Sequence, residues 1–356
     1  MRFPILTLAL VVAACGQDPV PRVGVVGSPQ DIAAAKLAVI EAMAANPGLA
    51  IELIERPREQ ATSDPALEVA EELIRHPGLI AVVGHSNSVA SLAASQVYNE
   101  AGVVQIAPSS TAPSYSLAGP FSFRIVPSDT AQAARLLALA GADGAQRIAV
   151  VYANDDYGRG LYGHMRPALR AALVFEAPYQ EGGTALQFTP LGESIAASRP
   201  DLLLWLGRES GLGATLAVLE TMGLRPPVLA SDGVDNPRVY ENADGIFTGV
   251  RLLRFVDLAA PDPALAAFRD RMAEAGEAFL SAESVLTYDA TGLVIQAILD
   301  GMSTAEQLRQ YLTELGSLRP AYAGLAGPIV FDSAGDALRD YHLAEVTPDG
   351  VVARRR

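Results

Sequence analysis

The chain has 356 residues, half of them hydrophobic and only 6% aromatic, with a formal charge of −14. That length exceeds one simple core and suits two lobes, and an Ala/Leu/Val-rich makeup fits helices laid on parallel sheets. The acidic balance excludes the basic face that nucleic-acid binding requires, and a single lysine, Lys36, excludes any phosphate loop ending in Gly-Lys.

At the start of the chain, Arg2 precedes an apolar run over 5–14, shorter than the about 20 residues of a membrane-spanning helix. The run reads as the hydrophobic part of a secretory signal, so residues 1–14 are expected to be a signal peptide. Val12-Ala13-Ala14-Cys15 fits a bacterial lipobox, with cleavage before Cys15 and lipid on its thiol; the alternative is an unmodified thiol in an ordinary signal peptide. Several acyl chains, at about 0.8 kcal/mol per buried CH₂, hold a protein on a membrane durably. Cys15 is the only cysteine, so no disulfide forms within one chain and the fold rests on core burial. Gly16 is similar to the sorting pattern for outer-membrane delivery in a Gram-negative cell. Residues 15–21 then form a lipidated tether with two prolines.

Strand and helix alternate from there, which predicts βαβ units and a parallel sheet. Residues 22–27 form the first strand, 31–45 the first helix and 50–55 the second strand. Asp64-Pro65 starts a helix that runs to Pro77-Gly78. The apolar run 79–84 is a strand buried on both faces. His85-Ser86-Asn87-Ser88 is a turn that can cap the following helix, which stops at Gly102. A strand over 103–106 leads into Pro108-Ser109-Ser110-Thr111-Ala112-Pro113. Two hydroxyl-rich turns thus leave neighbouring parallel strands at their carboxyl ends, where open α/β sheets bind ligands and where free N–H groups suit a carboxylate.

From Asp129, read as a helix cap, the rhythm restarts: a helix to 142, a strand over 147–152, and a helix striped by Leu161, Met165 and Leu169. A strand over 201–206, a helix striped by Leu212, Leu216 and Leu219, and a strand over 228–230 follow. Residues 246–251 read as the crossing back, because three long helices come next, the last opened by a Ser303-Thr304-Ala305-Glu306 capping box. Final strands are expected over 328–331 and 341–346.

Val82-Val83-Gly84-His85 with Ser88, Tyr98-Asn99-Glu100-Ala101-Gly102, Pro108 to Pro113 and Phe123 to Asp129 together resemble the leucine/isoleucine/valine-binding protein family. The likeness continues at Asp155-Asp156-Tyr157-Gly158, Ser231-Asp232-Gly233 and Tyr288-Asp289-Ala290. The resemblance implies an extracytoplasmic solute receptor of an ABC transporter with the type I periplasmic-binding fold: two doubly wound parallel-sheet lobes, joined by three crossovers, that close on a ligand by hinge motion. The lobes are expected to comprise 22–127 with 253–327, and 128–252 with 328–356.

The resemblance also implies roles. Ser88 matches the serine that holds the ligand carboxylate from the helix start, Ser109 a backbone and side-chain contact, and Thr111 the threonine that bridges the carboxylate and amino ends. Tyr157 matches a tyrosine facing the cleft from the second lobe, and Asp232 an acid that pairs with the ammonium, here one methylene shorter. The plainer readings are a helix cap for Ser88, packing for Tyr157 and a turn for Asp232 beside Gly233. Asp129 is ranked structural. Three departures stand out: the abrupt Gly27-Ser28-Pro29-Gln30-Asp31 where relatives carry a longer loop, Arg208 then Glu209 where they often place an aromatic, and Glu283 near an apolar pocket position. Facing the cleft, Arg208 and Glu283 favour a polar ligand; facing solvent, they are a charged edge.

Enzyme readings fail. Gly84-His85-Ser86-Asn87-Ser88 lacks the second glycine of a nucleophile elbow, residues 24–27 lack a dinucleotide fingerprint, and the four histidines have no metal-ligand spacing. No cofactor is expected. The expected partners are an amino-acid or amide-like ligand, an inner-membrane ABC permease and a membrane reached through the Cys15 lipid. The alternative is a periplasmic scaffold or regulatory lipoprotein on the same fold that binds a protein such as a cell-wall synthase.

Overall fold

The computed structural model of the protein describes residues 20–57, 63–241, 243–277 and 280–354. The expected signal segment and Cys15 lie outside the described residues. In chain order the strands are β1 (Arg22–Gly27), β2 (Glu52–Pro57), β3 (Leu79–Val83), β4 (Val104–Ala107), β5 (Ser122–Arg124), β6 (Ile148–Ala153), β7 (Leu173–Tyr179), β8 (Leu202–Leu206), β9 (Val228–Ala230), β10 (Arg251–Arg254), β11 (Tyr322–Gly324), β12 (Gly327–Ile329), β13 (His342–Thr347) and β14 (Gly350–Arg354). The helices are α1 (Pro29–Ala45), α2 (Ser63–Leu73), α3 (Ser88–Ala101), α4 (Asp129–Ala142), α5 (Asp156–Leu169), α6 (Ala185–Ser198), α7 (Glu209–Thr221), α8 (Pro237–Glu241), α9 (Pro263–Glu274), α10 (Ala282–Leu299) and α11 (Ala305–Glu314).

Among the described residues, one parallel sheet runs β2-β1-β3-β4-β5 and a second runs β14-β13-β10-β9-β8-β6-β7, parallel except at its β13–β14 edge. Central strands are apolar throughout because helices cover both faces: Leu-Ile-Ala-Val-Val in β3 and Leu-Leu-Leu-Trp-Leu in β8 are buried end to end. In the first lobe α1, α9, α10 and α11 pack on one face and α2 and α3 on the other. In the second, α6 and α7 cover one face and α4 and α5 the other. The fold is the type I periplasmic-binding architecture.

The chain passes between lobes at 125–128, at 255–262 and at 332–340, since β5, β10 and β12 end in one core and α4, α9 and β13 start in the other. Arg124, with no exposed surface, fastens the first of these passages to the third. Its Nε and Nη2 donate to Asp336 Oδ1 and Oδ2 at 2.7 and 2.6 Å, and Nη1 donates to the Ala112 carbonyl at 2.8 Å. The hydroxyl-rich loop after β4 is thereby tied to these passages between the lobes.

Several expectations need correction. The strand β7 and helix α6 were not anticipated; β7 is a half-exposed edge strand carrying Pro178, and α6 carries Pro190, so neither shows a clean period. The crossing back is not at 246–251: Arg251 opens β10, which pairs with β9 and β13, so the chain is still in the second lobe there and an expected lobe boundary at 253 falls inside a strand. Pro328 lies in β12, paired with β11, and Ile329 and Phe331 pack in the first core, not the second. The α11 capping box is Thr304 with Gln307, one residue later than read. Ser128, not Asp129, caps α4, and Asn87, not Ser88, caps α3.

Candidate functional site

A cleft of about 460 Å³ opens between the lobes at the carboxyl ends of both parallel sheets. Ser88, Ser109, Thr111 and Glu283 line it from the first lobe, and Tyr157, Arg208 and Asp232 from the second, so all seven expected residues meet at one gap. Arg208 and Glu283 therefore face the cleft and not a solvent edge.

On the first wall, the turn after β3 delivers α3 end-on. Asn87 Oδ1 accepts from the Ala90 N–H at 2.9 Å, which frees Ser88 from capping. Ser88 occupies the first helical position, where backbone N–H groups lack intrahelical partners; its Oγ accepts from Ala112 N–H at 3.1 Å and so joins the two hydroxyl turns. Thr111 is buried beside it. Ser109 Oγ lies 3.0 Å from the Ser86 carbonyl and 3.0 Å from Glu283 Oε1, which reaches in from the first turn of α10. Ser28, whose hydroxyl caps α1, and Gln30 complete this side, so the abrupt loop after β1 supplies a polar wall.

The second wall centres on Asp232, in the turn after β9. Its Oδ1 accepts from the Tyr157 hydroxyl at 2.8 Å and from Gln132 Nε2. Gln132, fully buried in α4, also donates to Asp129 Oδ1 at 3.3 Å and to Tyr341 Oη at 3.0 Å, while its Oε1 accepts from the Asp232 N–H at 3.3 Å. Two carboxyl groups thus share one amide. Burial pushes the Asp232 carboxyl up to about 6, against the Gln132 and Tyr157 hydrogen bonds and the Arg208 charge. Asp129 has no exposed surface and its Oδ2 has no hydrogen-bond partner. Burial, then the neighbouring Asp232, holds it well above the carboxylate range, and the Thr111 hydroxyl works the other way. Asp129 is therefore no cap but a buried acid directly behind the site.

Arg208 precedes α7; its backbone N–H donates to the Tyr179 hydroxyl at 2.7 Å and its guanidinium sits 5.5 Å from the Tyr157 ring centroid. Nη2 reaches Asp155 Oδ2 at 3.4 Å. Asn236 Nδ2 donates to Glu209 Oε1 at 2.8 Å. Nearby, Arg254 and Asp235 form a buried two-pronged ion pair at 3.1 and 2.9 Å. Sequence reading missed Gln132, Asp235 and Arg254, and missed the part Asp129 plays. Only the Asp-x-x-Gln spacing of Asp129 and Gln132, which places both on one helix face, could have pointed to the pair.

His85 is buried with Nε2 3.2 Å from the Tyr98 hydroxyl, and burial lowers it to about 4. It stays neutral and turned toward α3, away from Ser86. Among the described residues no cluster of three or more His, Cys, Asp or Glu could hold a metal. What the cleft offers is charge and hydrogen bonding from opposed walls.

Comparison with known proteins supplies the family. A model of the periplasmic binding protein family matches residues 22–351. The chain belongs to that family. The relatives it resembles include Leu/Ile/Val-binding proteins. The Leu/Ile/Val-binding protein of Escherichia coli is 24% identical over 76% of this chain and 72% of its own. An amino acid binding protein of Pseudomonas aeruginosa is 32% identical over 51% of this chain, a match spanning about half that relative's length (49%). Among solved structures, an ABC transporter substrate-binding protein of Desulfitobacterium hafniense in complex with Leu superposes with TM-score 0.79 at 24% identity, covering 94% of this chain and 99% of that one. A substrate-binding protein of Streptococcus pneumoniae in complex with isoleucine gives 0.82 at 20% identity, covering 94% and 100%. At those identities the structural matches speak for the fold of this periplasmic binding protein and not for its ligand.

Proposed function

We propose that the cleft captures a free amino acid or an amide-like polar small molecule by hinge closure and hands it to an ABC permease, with no bond made or broken, from a membrane anchor at Cys15. The observation that carries this reading is the opposition of Ser88, at the start of α3, and Thr111, in the loop after β4, to Asp232 on the other lobe. A carboxylate suits hydroxyls and N–H groups, and an ammonium suits an acid. The family's relatives with amino-acid ligands support it.

Thermal shift against amino acids, amides and small organic acids tests it. A specific ligand at 100 times its Kd stabilises the fold by about 2.7 kcal/mol. Ser88→Ala and Asp232→Ala are each expected to remove that shift and leave the apo protein folded. A panel with no hit, together with co-purification of a cell-wall enzyme, would replace this reading with the scaffold one.

A further inference from the structure

We infer that Asp129 and Asp232 form an acid pair that keeps one proton at neutral pH, and that the proton sits on Asp129. Asp232 is thereby left as the one negative charge that the pair offers the cleft. The inference rests on the reading of Asp232 as the partner of a ligand ammonium. Asp129, set behind the cleft wall, acts in it as a positioning residue.

The geometry separates the two acids. Both accept from the same Gln132 Nε2, so two ionised carboxylates would repel across a single amide. Asp232 Oδ1 also accepts from the Tyr157 hydroxyl at 2.8 Å, and the Arg208 charge favours its ionised form. Asp129 is poorer in support. It has no exposed surface, its Oδ2 has no hydrogen-bond partner, and its Oδ1 has a long 3.3 Å bond. An ionised carboxylate stripped of water and left with a bare oxygen is costly, and a neutral acid is far less so.

The surrounding elements do not supply the missing compensation. From β5, Arg124 is already tied to Asp336 and to the Ala112 carbonyl. Before α5, Asp155 adds a further negative charge. Tyr157 in α5 and Tyr341 at the third passage bring hydroxyls without charge, as does Thr111 in the loop after β4. Burial and the neighbouring acids outweigh Thr111 and Arg124. The consequence for capture is one of charge balance. One ammonium neutralises Asp232, whereas a second ionised acid would leave an uncompensated buried charge behind it.

The test uses the full chain in detergent without ligand, so its failure leaves the amino-acid reading standing, and a ligand panel without hits leaves the acid pair standing. An unfolded aspartate ionises near 3.8, whereas the fold keeps the Asp129 proton, so wild-type stability is lost as pH rises. In urea unfolding between about pH 5 and 7, the unfolding equilibrium constant is expected to rise about tenfold more per pH unit in the wild type than in Asp129→Asn. Asparagine keeps the shape of the neutral acid, and a merely structural role would change stability equally at every pH. Infrared spectroscopy with ¹³C-labelled aspartate carboxyls at about pH 8 is expected to show a protonated C=O band that Asp129→Asn removes. Asp232 and Asp289, raised to about 6, are ionised there, and the two-pronged Arg254 pair holds Asp235 ionised. Should the variant not fold, the wild-type band decides alone. Equal slopes in a folded variant, a wild type without the band, or a band that survives Asp129→Asn overturns the inference.

Discussion

Replacing Arg124 with methionine tests whether the hinge and the hydroxyl wall are one mechanical unit. The guanidinium is fully buried and Asp336 is 13% exposed, so Arg124→Met leaves a nearly buried carboxylate without its counter-charge. Two charge-assisted hydrogen bonds to Asp336 are lost, together with bonds to Ala112 and Ser116. Removing one partner of a buried pair costs about 3–5 kcal/mol, a large share of the about 5–15 kcal/mol that holds a typical protein together. Removing both partners strands no charge, so Arg124→Met with Asp336→Leu is expected to cost at least about 2 kcal/mol less than the sum of the single changes. Urea denaturation followed by far-UV circular dichroism measures all three variants. A loss under about 1 kcal/mol for Arg124→Met, or strict additivity, would refute the reasoning, because an isolated surface-like pair behaves that way.

Asp232, raised to about 6 from 3.8, sets a pH window. With its folded value raised, the stability it contributes is fully present below about pH 4 and lost as pH rises through about 6. Ammonium capture needs the ionised form, so affinity for an amino acid should climb about tenfold per pH unit up to about pH 6 and then level off. Calorimetric titrations across that range check it, Asp232→Asn should flatten the profile, and a flat wild-type profile would refute it. Gln132→Leu strips the shared amide from Asp129, Asp232 and Tyr341; a loss of about 2–4 kcal/mol in chemical denaturation is expected, and one under about 0.5 kcal/mol would contradict it. Cys15→Ser is expected to move the protein from the membrane to the soluble fraction and to end globomycin-sensitive processing; unchanged membrane association would remove the lipid from the account.

Local chemistry explains what could be read from the chain and what could not. Uninterrupted apolar runs such as β3 and β8 announce themselves because both faces are buried, and turns announce themselves through Gly, Pro, Asn and Ser. The edge strand β7 mixes Glu176 and Pro178 with its apolar residues, and the second face that would have given it a pattern is water. Helix caps slipped by one residue at α3, α4 and α11 because adjacent Ser, Asn, Asp and Thr residues are nearly equivalent as caps, and only backbone angles choose between them. Most walls of the cleft could be named because they sit in the turns and helix starts that follow strand ends; Glu283, in the first turn of α10 after α9, does not. The support behind them could not: Gln132 meets Asp232 and Tyr341 from positions 100 and 209 residues away, and nothing local marks such a meeting.

The chain's lone tryptophan, Trp205, is sealed in the second core, and its indole N–H donates to the carbonyl of Arg208 at 3.0 Å. One chromophore is therefore wired to the backbone of a residue on the cleft wall. Its emission is expected to respond to changes at that wall without label or engineering, so the proposed jaw closure is open to a stopped-flow test on a signal no other indole dilutes.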